Sequence, residues 1–187
     1  MLPALQRLMG INAMKPPSRN GLSTIEEVIA DAKAGKLFIL VDDEDRENEG
    51  DLCVIGEFAT ADAINFMAKH GRGLICLALT RIRTEQLGLT MMERRNESRH
   101  EPAFTISIEA RYGVTTGISA ADRALTLTTA IDPNCVARDS TPPAHIFPFV
   151  ARHASTFDRP CHHQAVDALA RGCASRHQLR VTCRYTQ

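Results

Sequence analysis

The chain has 187 residues, of which 44% are hydrophobic and 24% charged, with 22 basic side chains against 22 acidic ones. That length suits one domain able to bury a real core. Zero net charge, only 5% aromatic residues and the lack of any long apolar run argue against a nucleic-acid partner and against a membrane-spanning helix.

Residues 1–21, "MLPALQRLMGINAMKPPSRNG", lack a charged segment followed by an apolar one, so no secretory leader is expected. They read as a flexible lead ahead of a single domain over 22–187. The cysteines are scattered without short paired spacings and read as reduced thiols of a cytoplasmic protein. Ser23 and Thr24 ahead of Glu26 and Glu27 form a capping-box pattern. Ile25, Val28, Ile29 and Ala32 then recur at helical spacing, and Gly35 marks the stop. "KLFILV" reads as a short apolar strand and "DLCVIG" as a second, with an acidic loop between them.

"ATADAINFMAKHGRG" reads as a second helix followed by a glycine stop, "LICLAL" as a buried strand, and "RTEQLGL" as a short helix. "AFTISIEA" alternates as a half-buried strand, with Phe104, Ile106 and Ile108 on one face. "YGVTTGISAADRALTLTTAI" reads as a glycine-bracketed loop entering a helix, with Ser119 and Asp122 as a second capping box. "AHIFPFVA" is a strand expected to break at Pro148, "HHQAVDALARG" a helix, and "LRVTCRY" a last strand. Interleaved helices and apolar strands predict a single α+β domain, a mixed β-sheet with packed helices.

Residues 42–51 concentrate seven carboxylates and one arginine. Two carboxylates about 5 Å apart repel by roughly 3 kcal/mol at an effective dielectric near 20, so the cluster needs a resolution. The acids can all face water, they can bind a hard cation such as Mg2+, or a subset can be held protonated to move protons. In an extended segment Glu47, Glu49 and Asp51 would face one way and Arg46 the other. Spacing alone leaves a cation site and a solvated loop equally open. "GVTTGISAADR" offers glycine freedom and helix-start amides to an anion, or else is merely a capped helix after a tight turn. His145 in "PPAHIFP" reads alone as a core histidine, and "RPCHHQ" as a weak zinc pattern with no second ligand pair.

Together "DDEDRENEGDL", "HGRGLICLALT", "FTISIEA..YGVTTGISAADRA" and "HIFP" closely resemble the 3,4-dihydroxy-2-butanone-4-phosphate synthase family of riboflavin biosynthesis over about residues 22–150. The resemblance implies conversion of D-ribulose 5-phosphate to formate and 3,4-dihydroxy-2-butanone 4-phosphate, with Mg2+ (or Mn2+ as the alternative), in a cytoplasmic homodimer. It makes Arg46 and Asp51 substrate-binding, Glu47 a metal ligand that also meets substrate, and Glu49 a proton-transfer residue. It places Cys76 and His145 among the catalytic residues and Thr115 and Thr116 against substrate. Farther on, it makes Arg159 a phosphate-binding arginine, His162 the second metal ligand and His163 a substrate neighbour.

Beyond Phe149 the match decays. The family pattern R-x-G-H-T-E stands here as "RPCHHQ", and its later glutamate, in a V-x-C-E strand, aligns with Arg184. Residues 151–187 carry six arginines against two aspartates, and the family pattern runs on past Gln187. The reading therefore expects a divergent, shortened end. Its alternative is a catalytically impaired homologue that binds the sugar phosphate or dimerises with an active partner. A tail unable to pack would leave the last strand without neighbours.

Overall fold

The computed structural model of the protein describes residues 22–41, 50–92 and 104–150, and the backbone alone of residues 180–185. The expected lead over 1–21, the acidic segment with Arg46, Glu47 and Glu49, and the segment carrying Arg159, His162, His163 and the helix expected around them lie outside the described residues.

Helix α1 (Ile25–Lys33) starts at Thr24, whose hydroxyl accepts from the Glu27 amide at 3.3 Å. The Glu27 carboxylate accepts in return from the Thr24 amide at 3.0 Å, so both halves of the expected capping box close. Gly35 ends the helix at φ +71°, a conformation open to glycine at little cost. Strands β1 (Phe38–Val41) and β2 (Gly50–Ile55) follow. Thr60 caps α2 (Ala61–Phe66), which passes into a single π-turn, Met67–Gly71. The turn ends at Gly71, as the helix-then-glycine pattern expects, and Arg72 follows in the left-handed region at φ +56°. Then come β3 (Ile75–Leu79), α3 (Arg81–Gln86), β4 (Ile108–Ala110), α4 (Ala120–Ile131), β5 (Ser140–Val150) and β6 (Arg180–Tyr185).

The strands form one sheet in the order β1-β2-β6-β3-β5-β4. Every neighbouring pair is antiparallel except β3 with β5, so the sheet is mixed and the fold is α+β, as expected. Leu52, Val54, Ile75, Leu77, Ile108 and Ile146 pack with Ile64 of α2 and Leu127 of α4 in the main core. A smaller cluster, Phe38, Cys53 and Ile55, packs with Ala32 of α1. Burying a leucine or isoleucine is worth about 1.5–3 kcal/mol, so the larger cluster dominates the stability. Because chain packs on both sides, β3 is buried at all its positions, which is why "ICLAL" is uninterrupted apolar sequence.

Three expectations change. Pro148 does not break its strand: β5 runs through it, paired in register with Leu77, and the Pro148 carbonyl accepts from the Thr105 amide at 2.9 Å. The strand expected over "AFTISIEA" is reduced to β4 plus isolated bridges of Phe104 with Phe149 and Thr105 with Met91, and Thr105 is fully buried whereas Ile106 is only partly so. The Thr105 hydroxyl finds the Ile106 and Pro148 carbonyls, which lets a polar side chain sit inside. Finally, β6 is not left without neighbours. It lies inside the sheet, paired with β2 and β3.

Candidate active site

Strand register brings the described site residues to one end of the sheet. Val41 pairs with Gly50, so the acidic segment between them leaves and re-enters the sheet at this end, next to Asp51. Cys76 opposes Thr182, which opposes Cys53, two residues along from Asp51. Asp51 and Cys76 are thus about 10 Å apart across the sheet and about 7 Å along it. Cys76 also pairs with Phe147 of the parallel β5, two residues after His145. β4 ends at the same margin, where Ala110 pairs with Ser140, and hands the chain to the loop carrying Thr115 and Thr116.

Asp51 is 2% exposed and Cys76 7% exposed, so both are lodged in the sheet. The Cys76 thiol donates to the Leu74 carbonyl at 3.6 Å. Position 184, where the resemblance expects a carboxylate, pairs directly with Asp51.

The threonine loop is held from α4. The Ser119 hydroxyl caps the helix by accepting from the Asp122 amide at 3.0 Å. The Asp122 carboxylate turns to the loop, accepting from the Thr115 amide at 3.0 Å, the Thr115 hydroxyl at 2.8 Å and the Gly117 amide at 3.1 Å. These donors, the Thr115 hydroxyl foremost, hold the Asp122 carboxyl below the ordinary carboxylate range although burial opposes them. The Thr115 proton is accordingly directed at Asp122, while both threonines stay exposed at the surface. Thr126 fixes the other side of the loop, its hydroxyl accepting from the Ala110 amide at 3.0 Å.

His145 stands in a bulge of β5. Register passes from Ile108–Ile146 directly to Glu109–Thr141, so residues 142–145 bow out of the ladder. The Ser107 hydroxyl pins this bow by accepting from the Ala144 amide at 2.9 Å. His145 Nδ1 lies 3.7 Å from Glu109 Oε2, and Gly117 packs against both. Glu109 was not singled out by sequence reasoning, because a charged residue in an alternating strand reads as solvent-facing. Its signal is that it is the only charge in "AFTISIEA", just ahead of the glycine-bracketed loop. Among the described residues no cluster of three or more His, Cys, Asp or Glu side chains forms a metal cage.

The profile of the family described as 3,4-dihydroxy-2-butanone 4-phosphate synthase matches residues 26–187. A protein of that name from Pseudomonas aeruginosa is 53% identical over 150 residues, covering 80% of this chain and 41% of its own. Another, from Neisseria meningitidis, is 51% identical over 144 residues, covering 77% and 40%. The chain thus spans about two fifths of the length of these curated relatives. Among solved structures, a 3,4-dihydroxy-2-butanone 4-phosphate synthase in complex with two magnesium ions superposes with TM-score 0.82 at 34% identity, covering 88% of this chain and 76% of its own. The two-domain synthase RibBX of A. baumannii superposes with TM-score 0.81 at 41% identity, covering 88% and 48%.

Proposed function

Because the chain belongs to the 3,4-dihydroxy-2-butanone 4-phosphate synthase family, we propose that it is a lyase of riboflavin biosynthesis, converting D-ribulose 5-phosphate to formate and 3,4-dihydroxy-2-butanone 4-phosphate. One observation carries the reading. Asp51, Cys76, His145 and the Thr115–Thr116 loop, far apart in sequence, converge at one end of a single sheet, where the acidic segment also begins and ends.

The two products together contain every atom of the substrate, so the chemistry needs no oxidant and no second substrate. It needs protons moved and one carbon–carbon bond shifted and another cut. In this reading Arg46, Arg159 and the threonine loop hold the phosphate, a role suited to guanidinium forks and exposed hydroxyls. Glu49 and His145 exchange protons with substrate carbon and oxygen, and Cys76 lines the pocket beside them. Asp51 and His163 bind the sugar hydroxyls. Glu47 and His162 offer carboxylate oxygen and imidazole nitrogen, a donor set that fits Mg2+ or Mn2+ with waters completing the shell. Such an ion supplies stabilisation of enediolate charge. We place this activity in one domain over 22–187, acting as a cytoplasmic homodimer.

The test is direct. Purified protein is incubated with D-ribulose 5-phosphate and Mg2+, and formate is followed by NMR. We expect formate in wild type, none after chelation, and none in Glu47→Ala. Substrate binding by calorimetry without formate would reduce the reading to a sugar-phosphate binder, and an Arg184→Glu variant assayed alongside shows whether that position limits turnover.

A further inference from the structure

Two buried polar atoms face each other beside the threonine loop. Glu109 Oε2 and His145 Nδ1 are both shielded from solvent and stand 3.7 Å apart, and among the described residues neither has another hydrogen-bond partner. A buried donor and acceptor without other partners are costly apart, and catalytic hydrogen bonds often stay long until substrate closes the site. The His145 side chain is nevertheless 42% exposed. With Nδ1 shielded, that exposure belongs to the rest of the ring, which includes Nε2. One ring nitrogen therefore faces a carboxylate, and the other belongs to the part of the side chain outside that contact.

The third participant is Gly117, at φ +76°. A Cβ at this position would overlap the Glu109 carboxylate and come within 3.0 Å of His145 Nδ1. The overlap falls on the reactive end of the pair, so a side chain here must separate the two groups. The Gly117 amide donates to Asp122 and the Ala144 amide to Ser107, so neither the loop nor the bulge is free to retreat.

We infer that Glu109 is the positioning residue of His145. It holds the neutral imidazole as the Nδ1–H tautomer, so that Nε2 is the atom that takes and returns substrate protons, and Gly117 keeps the space in which that contact forms. In neutral imidazole one nitrogen carries the proton and the other accepts, and the partner of one decides the state of the other. No bond beyond the Nδ1–H···O contact is made, and the net proton count of the reaction is unchanged. The inference rests on the synthase reading for its catalytic meaning, but the tautomer can be measured without substrate.

The experiment combines long-range 1H–15N NMR of His145 with formate kinetics in wild type, Glu109→Gln and Glu109→Ala. Assignment of the His145 signals comes from their loss in His145→Asn. In wild type we expect the Nδ1–H tautomer. Glu109→Gln keeps an acceptor oxygen and should keep that tautomer, with kcat reduced about tenfold. Glu109→Ala should shift the ring to Nε2–H and lower kcat about a hundredfold with KM little changed. A wild-type ring in the Nε2–H form, or a Glu109→Ala variant with unaltered tautomer and kcat, overturns the inference. If Glu109→Ala fails to fold, Glu109→Gln and Gly117→Ala are compared by the same spectra. The latter should displace the ring signals, and a wild-type spectrum from it would also sink the idea. Absence of formate from wild type with the Nδ1–H signature present defeats the activity reading alone.

Discussion

The two ends of α4 bury opposite charges and use them differently. At its start Asp122, 5% exposed, gathers two amides and a hydroxyl of the threonine loop. At its end Arg83, 9% exposed, donates to the carbonyls of Ala130, Cys135 and Asp132 and to Gln86. Each charge complements the helix dipole, an acid at the amino end and a base at the carboxyl end. Around Arg83 each of these donors meets an oxygen of the protein itself. Around Asp122 the hydrogen bonds stabilise a loop whose exposed side presents Thr116 and whose inner side abuts the Glu109–His145 pair. A satisfied cluster with nothing left to offer is architecture, while a satisfied cluster that props open an under-satisfied one is how a fold prepares chemistry.

Removing Arg83 should have the largest effect, and on stability alone. Arg83→Met strands the buried carbonyls of Ala130 and Cys135 and should cost about 3 kcal/mol, read as a lowered urea midpoint, with kcat at a temperature well below melting unchanged. A matching fall in kcat would erase the distinction between the two ends. Asp122→Asn should do the reverse. It keeps the shape but replaces an acceptor oxygen with a donor facing the Thr115 and Gly117 donors. Formate turnover should drop about tenfold while the midpoint moves less than for Arg83→Met.

The smallest effect is the pH dependence of that difference. Because the folded Asp122 carboxyl titrates below its ordinary value, the unfolded chain binds more protons than the folded one as pH falls below about 4. The contribution of Asp122 is therefore full above that range and is lost as pH falls through the lowered value. Wild type and Asp122→Asn should differ in urea midpoint by a constant amount from pH 7 to 5 and converge below pH 4. A gap that widened on acidification would contradict the assigned cause.

Much of the framework was legible in the residues. Thr24 with Glu27, the glycine at 35, and the runs "FILV", "ICLAL" and "RVTCRY" carry local signals strong enough to place their elements. Errors fell where tertiary partners overrule local rules. Pro148 stays in a strand because its carbonyl, not its missing N–H, makes the contact with Thr105. Thr105 lies inside because carbonyls receive its hydroxyl. Asp122, expected to complete a capping box, serves the loop through its carboxylate, since three donors converge on it there. Glu109 escaped notice because its meaning depends on a histidine 36 positions later being bowed out toward it.

By itself the sequence determined the element types, the α+β class and the family, because these follow from short-range periodicity, capping chemistry and motifs read along the chain. The meeting of those motifs was a tertiary decision. Only the sheet order sets the carboxyl-terminal strand between β2 and β3, with position 184 opposite Asp51. Only the bulge in β5 brings His145 to Glu109, and only the close approach of Gly117 shows why that contact tolerates no side chain. Register and packing join residues that are distant in sequence, and no local pattern records which of them will touch.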